Sequence, residues 1–118
     1  TGTATLINIP TDARFRAALR VYDFDGAFNN SVRLRVYAGD DTTPVAEAQL
    51  ALSNPSGISD FAYPGYAQIG SLADAYPQLR SAATARIEIT PLSAGTRIWA
   101  FVSVTNNETQ HVTTITPQ

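Results

Sequence analysis

A chain of 118 residues is the length of one domain, and burying about two thirds of its extended-chain surface suffices for one ordinary core. It has no cysteine, which excludes disulfides, thiolate metal sites and a cysteine nucleophile. A net charge of −2, with charged residues at only 15%, gives no electrostatic signature of a nucleic-acid or membrane partner.

Every basic residue is Arg, neither Lys nor Met occurs, and Ala is abundant. GC-rich coding produces that bias without any recognition role. Sparse charge with much Thr, Ser, Asn and Tyr suits an extracellular module. No signal peptide and no membrane-spanning run is visible, since the longest nearly uncharged stretch, 98–107, is interrupted by Ser103 and Thr105. The chain starts at Thr1 rather than Met, which points to a processed piece whose export signal has already gone. The expected location is extracellular or cell-surface, without membrane insertion.

Thr3 to Ile9 reads as an edge strand ahead of Pro10. From 14 to 23 the alternation is clean. Phe15, Ala17, Leu19 and Val21 share one side, and Arg14, Arg16, Ala18, Arg20 and Tyr22 the other. Asp25, Gly26, Asn29 and Asn30 supply turn chemistry. In 31–38, Val32, Leu34 and Val36 point inward while Arg33, Arg35 and Tyr37 point outward. A turn at Asp40, Asp41 and Pro44 leads into 45–52, whose apolar set is Ala46, Ala48, Leu50 and Leu52. Residues 31–52 thus form a long hairpin.

The stretch 58–83 is the least regular, with Pro64, Gly65, Gly70 and Pro77. Tyr66 to Ile69 fits a short strand. Ser71 followed by Asp74 resembles a helix entry, predicting one turn over 72–76 that Pro77 stops. Strands resume at 84–90, with Ala85, Ile87 and Ile89 inward, and at 96–105, with Ile98, Ala100, Val102 and Val104 inward. Trp99 and Phe101 fall on the other side of that strand, so it is central or covered. Asn106 and Asn107 make a hairpin turn, and 110–116 closes the chain. Seven or eight short strands with one short helical turn argue for an all-β, immunoglobulin-like antiparallel sandwich with Greek-key connections. A barrel is the competing arrangement. Residues 1–118 form a single domain whose ends, 1–5 and 116–118, are linker-like.

The C-terminal third carries a resemblance. An Arg86-Ile87-Glu88-Ile89 strand leads into Ile98-Trp99-Ala100-Phe101-Val102-Ser103-Val104, then an Asn106-Asn107-Glu108-Thr109 turn and a short final strand. This resembles immunoglobulin-like modules of multidomain secreted bacterial proteins, and the upstream order of an Arg-bearing strand and a hairpin is similar too. The run Asp23-Phe24-Asp25-Gly26 departs from the Asn-Pro-type turn such modules carry there. The resemblance implies a non-catalytic spacer or accessory unit beside other domains, with no cofactor and no functional residues to transfer.

Several residue sets invite a sharper reading. His111 is the only histidine, and no Gly-x-Ser-x-Gly elbow accompanies it, so a Ser-His-Asp device is rejected. Asp23, Asp25 and Asn29 superficially suggest a calcium loop. Gly26 comes too early for an EF-hand and Leu34 stands where the bidentate Glu belongs, so turn chemistry is preferred over a non-EF loop site that Asp40 or Asp41 would join, and no metal is expected. Glu47, Glu88 and Glu108 suggest no acid pair in a cleft, and Glu88 is expected to pair with an Arg on a neighbouring strand. Arg14, Arg16, Arg20, Arg33 and Arg35, with Tyr22 and Tyr37 between them, would form a cationic stripe for an anionic polymer if 14–23 pairs with 31–38. The ordinary reading of that set is a solvated ladder.

Phe61, Tyr63, Tyr66 and Tyr76 cluster in the irregular segment. They read as a lid on one end of the sandwich or as planar rings for stacking sugars, and Trp99 reads as an interface or core filler. The function expected is a non-catalytic accessory or spacer module of a secreted bacterial protein, joined to neighbouring domains. The alternative is a carbohydrate-binding module in which Tyr63, Tyr66, Tyr76 and Trp99 meet a polysaccharide. No nucleic-acid partner is expected.

Overall fold

Among the described residues eight strands form, in the order the alternation predicts: β1 (Ala4–Pro10), β2 (Phe15–Asp23), β3 (Asn30–Ala38), β4 (Ala46–Leu52), β5 (Tyr66–Ile69), β6 (Thr84–Pro91), β7 (Ile98–Asn106) and β8 (Val112–Ile115). A single helical turn, α1 (Leu72–Ala75), and a 3₁₀ turn, Pro77–Ser81, separate β5 from β6. The computed structural model describes residues 3–23, 30–52, 66–92 and 98–117. Within them every strand pairing is antiparallel, in two four-stranded sheets ordered β1-β6-β3-β4 and β5-β2-β7-β8. The protein is an all-β sandwich.

Six of the eight strands keep the strand order of the immunoglobulin pattern, with β4 and β5 inserted in the chain between the strands at its D and E positions. β1-β6-β3 facing β2-β7-β8 is the order of strands B-E-D facing C-F-G. Among the described residues no strand takes the A position, while β4 adds outside β3 and β5 outside β2. The hairpin expected over 31–52 is β3 with β4, in a register that sets Val32 against Leu50 and Leu34 against Ala48. Gly39 turns the chain between them at φ +57°, a left-handed conformation that glycine adopts without steric cost.

Period-two burial builds the core. Ala17, Leu19 and Val21 from β2 and Ala100, Val102 and Val104 from β7 face Val32, Leu34 and Val36 from β3 and Ala85, Ile87 and Ile89 from β6, all buried. Each large aliphatic among them contributes about 1.5–3 kcal/mol of burial before entropy is counted. β1 breaks the alternation. Its register with β6 shifts between Leu6 and Ile9, and Asn8 takes φ +57°. This bulge lets two residues three apart both face the core, where both are fully buried.

The segment between β5 and β6 is a lid. The Ser71 hydroxyl accepts the Asp74 backbone N–H at 3.4 Å, as the capping signature predicted. α1 stops after one turn because Tyr76 is driven out of helical geometry, φ −130° and ψ 79°, ahead of Pro77. Pro77 then begins a 3₁₀ turn instead of a loop. Leu72 and Leu79 drop from these turns into the core. Thr11 ties the β1–β2 connection to the lid, donating its N–H to the Ala83 carbonyl (3.1 Å) and its hydroxyl to the Ala82 carbonyl. No helix among the described residues is long and apolar enough to cross a membrane.

Candidate functional site

β2 is central in the second sheet, so its outward residues are flanked on both sides. In register, Tyr66 of β5, Tyr22 of β2 and Trp99 of β7 stand abreast. The next outward row is Gln68, Arg20 and Phe101. Beyond it come Ala18, Ser103 and Thr114, then Arg16, Thr105 and Val112. Alternation puts all of these on the outer face, because Leu19, Val21, Ala100 and Val102 between them face the core. One half of that face is thus aromatic, and the other half is small and hydroxylic apart from Arg16 and Val112.

The rings touch one another. Tyr22 and Phe101 lie nearly parallel, 22° apart with centroids at 6.3 Å, and Tyr22 and Tyr66 are tilted by 41° at 6.0 Å. Trp99 remains 40% exposed at the start of β7. Arg20 locks the group. Its guanidinium carbon is 5.1 Å from the Tyr66 ring centroid and 5.8 Å from that of Tyr22. One terminal nitrogen donates to the Tyr22 hydroxyl at 2.9 Å and the other to Gln68 Oε1. Beside it a shallow depression of about 260 Å³ is lined by Ala18, Leu19, Arg20, Gln68, Phe101 and Ser103. That is an open groove, below the roughly 300 Å³ at which enclosed ligand pockets begin.

The outer face of the first sheet differs. Arg33 and Arg35 both reach Glu47, at 3.6 and 3.3 Å. The Arg86 guanidinium lies over the Tyr37 ring at 4.1 Å, and the Tyr37 hydroxyl donates to Glu88 at 2.7 Å. That hydrogen bond, reinforced by burial, holds the Tyr37 pKa above the usual tyrosine value. Arg35 is opposite Glu88 in register, yet its ion pair forms with Glu47, across from it on β4. Cations and carboxylates alternate here as a solvated ladder.

The structure therefore does not bring the five arginines together. β2 and β3 belong to different sheets, so Arg16 and Arg20 face away from Arg33 and Arg35 on opposite sides of the sandwich. Arg14 precedes β2 and pairs with Asp12 at 3.1 Å. The Arg14 backbone N–H and then its guanidinium hold the Asp12 carboxyl below the usual carboxylate range. The pairing of 14–23 with 31–38 fails because the connection crosses between sheets, as C to D does in the immunoglobulin pattern.

The predicted aromatic set also divides. Tyr66 and Trp99 share the outer face of the second sheet, and Trp99 is not in the core. Tyr76 packs against the core from the lid, and burial raises its pKa. Tyr63, Phe61 and Asp25 lie outside the described residues. Asp40 and Asp41 follow the far end of β3, whose nine residues span about 30 Å at roughly 3.3 Å each, so they cannot join a site at the β2–β3 connection.

His111 is exposed ahead of β8, and Ser103 stands in register with Thr114 rather than with it. A wider depression of about 360 Å³ beside His111 is lined by Phe15, Val104, Asn106, Thr109 and Thr113, with no carboxylate. Among the described residues no three His, Cys, Asp or Glu side chains gather as metal ligands. Strand alternation alone had placed Tyr22, Arg20 and Phe101 outward. Missing from the sequence reading was the pairing of β5 with β2, which sets Tyr66 and Gln68 beside them.

No family model matches the chain, and no curated protein or solved structure matches it either.

Proposed function

We propose that this chain is a non-catalytic accessory module of a secreted protein, flanked by neighbouring domains, that holds a polysaccharide on the outer face of its second sheet. The observation that carries the reading is the abreast row Tyr66, Tyr22 and Trp99, backed by Phe101 and fixed by Arg20. Pyranose rings present flat CH faces that stack on such rings, and their hydroxyls need the kind of partner that Gln68, Ser103, Thr105 and Thr114 offer beside the row. A pure spacer has no use for an outward Trp and three further rings on one face. The resemblance of the C-terminal third to immunoglobulin-like modules of secreted bacterial proteins supports the accessory role.

The test is affinity electrophoresis of the chain through gels carrying soluble polysaccharides. Retardation by at least one polymer is expected, falling at least about tenfold in affinity in Trp99→Ala and Tyr66→Ala. Tyr76→Ala, on the lid, should retain it. Migration unaffected by every polymer, or equal loss in all three variants, would refute the reading.

A further inference from the structure

We infer that the glycan taken by this face is an acidic one, bearing uronate carboxylates; the inference rests on the polysaccharide reading above. Among the described residues the outward positions of the second sheet, in phase with Tyr22 on β2, carry Arg16 and Arg20 and no carboxylate; Asp23, at the end of β2, is out of that phase. The chain as a whole carries −2, so this face is positive on a negative molecule. The contrast with the other sheet is direct, where Glu47 and Glu88 sit among Arg33, Arg35 and Arg86. Arginines that a protein keeps only for solubility need no such segregation.

Arg20 is also prepared for an anion. Among the described residues two of its five N–H donors are used, on Tyr22 and Gln68, and the rings hold the guanidinium plane in place. Arg20 itself lines the groove, together with Phe101 and Ser103. A sugar stacked on the nearly parallel Tyr22 and Phe101 rings would bring a carboxylate at its ring edge to that fork, the geometry arginine serves best. Arg16, four residues along β2 and thus about 13 Å away, meets a further unit of the same chain.

A single-stranded nucleic acid also likes rings and cations, but it carries a phosphate on every unit and calls for a cationic groove along its whole path. Two arginines amid Ser, Thr and Ala suit a more dilute charge.

The experiment compares polygalacturonate with the same polymer after reduction of its carboxyls to alcohols, and with oligodeoxythymidylate. Polygalacturonate should bind at least about tenfold tighter than its reduced form, with an advantage that shrinks as salt rises. Arg20→Gln and Arg16→Gln should each lower that advantage, while Arg33→Gln on the opposite face leaves it intact. Among the described residues Arg16 props no ring, so its variant reads charge even if Arg20→Gln disturbs the row. Equal binding of the two polygalacturonate forms would overturn the acidic preference and leave the polysaccharide reading standing. Tighter binding of the oligonucleotide, or equal loss in Arg33→Gln, would also overturn it. Binding of none would sink both.

Discussion

Arg20 and Tyr66 stand one register step apart on neighbouring strands, and the guanidinium of the first leans diagonally to within 5.1 Å of the second's ring centroid. Such diagonal neighbours are within reach of long and aromatic side chains, and they are where a sheet gains specific cohesion. Through this contact the short strand β5, only four residues long, is held to β2 on its outer side as well as by its backbone ladder.

Removing Arg20 should therefore affect folding as well as binding. Arg20→Ala loses two cation–π contacts and two hydrogen bonds, and about 1–2 kcal/mol of stability is expected to go with them. Arg16→Ala, which makes no ion pair among the described residues, should stay within about 0.5 kcal/mol of the parent. Urea denaturation with unchanged slope measures both. Arg20→Lys should recover only part of the loss, because an ammonium lacks the planar fork.

The lid supplies a second expectation. Leu79 is fully buried although it lies on a 3₁₀ turn, whereas Leu92, just past β6, is 40% exposed. Leu79→Ala should cost about 2–5 kcal/mol, since the side chain fills the end of the core. Leu92→Ala should change stability by no more than about 0.5 kcal/mol. Comparable losses in the two would mean that the 3₁₀ turn is not part of the core.

Strand positions were legible because alternation is local. Val32, Leu34 and Val36 announce an inner face whatever lies beside them, and each is buried. Which strand lies beside which is not local. Arg16 and Arg33 look like neighbours along the chain, yet the connection between their strands changes sheet, and nothing in residues 23–30 says so. The β1 bulge was hidden for a related reason, since Asn8 at positive φ shifts the phase by one residue and only the partner strand reveals it. Pro77 was read as a stop and is one, for α1, but proline also suits the first position of the next turn. The Asn106 turn is longer than two residues. Asn106 Oδ1 accepts the Glu108 and Thr109 N–H groups, and Gln110 takes φ 62°, so five residues separate β7 from β8. The candidate site was half visible for the same reason. Tyr22, Arg20 and Phe101 were plainly outward, but only the β5–β2 pairing turns separate outward rings into a row.

The last expectation concerns alkaline pH. Tyr37 is only 7% exposed, with its hydroxyl on Glu88 and its ring beneath Arg86. Ionising it would delete the hydrogen bond and set a phenolate against a carboxylate, an effect larger than the opposing pull of Arg35 and Arg86. Its folded pKa thus lies above the unfolded value of about 10. The folded state keeps a proton that the unfolded state gives up, so this contribution is whole below about pH 10 and drains away as pH rises through the folded value. Tyr37→Phe should cost about 0.5–1.5 kcal/mol at neutral pH and flatten the decline in stability above about pH 10. Burial shifts Tyr76 in the same direction, so part of the decline should persist in Tyr37→Phe and disappear only when Tyr76→Phe is added. Urea midpoints followed from about pH 8 to 11 would show it. A Tyr37→Phe curve as steep as that of the parent would mean that the Glu88 hydrogen bond does not set the alkaline limit.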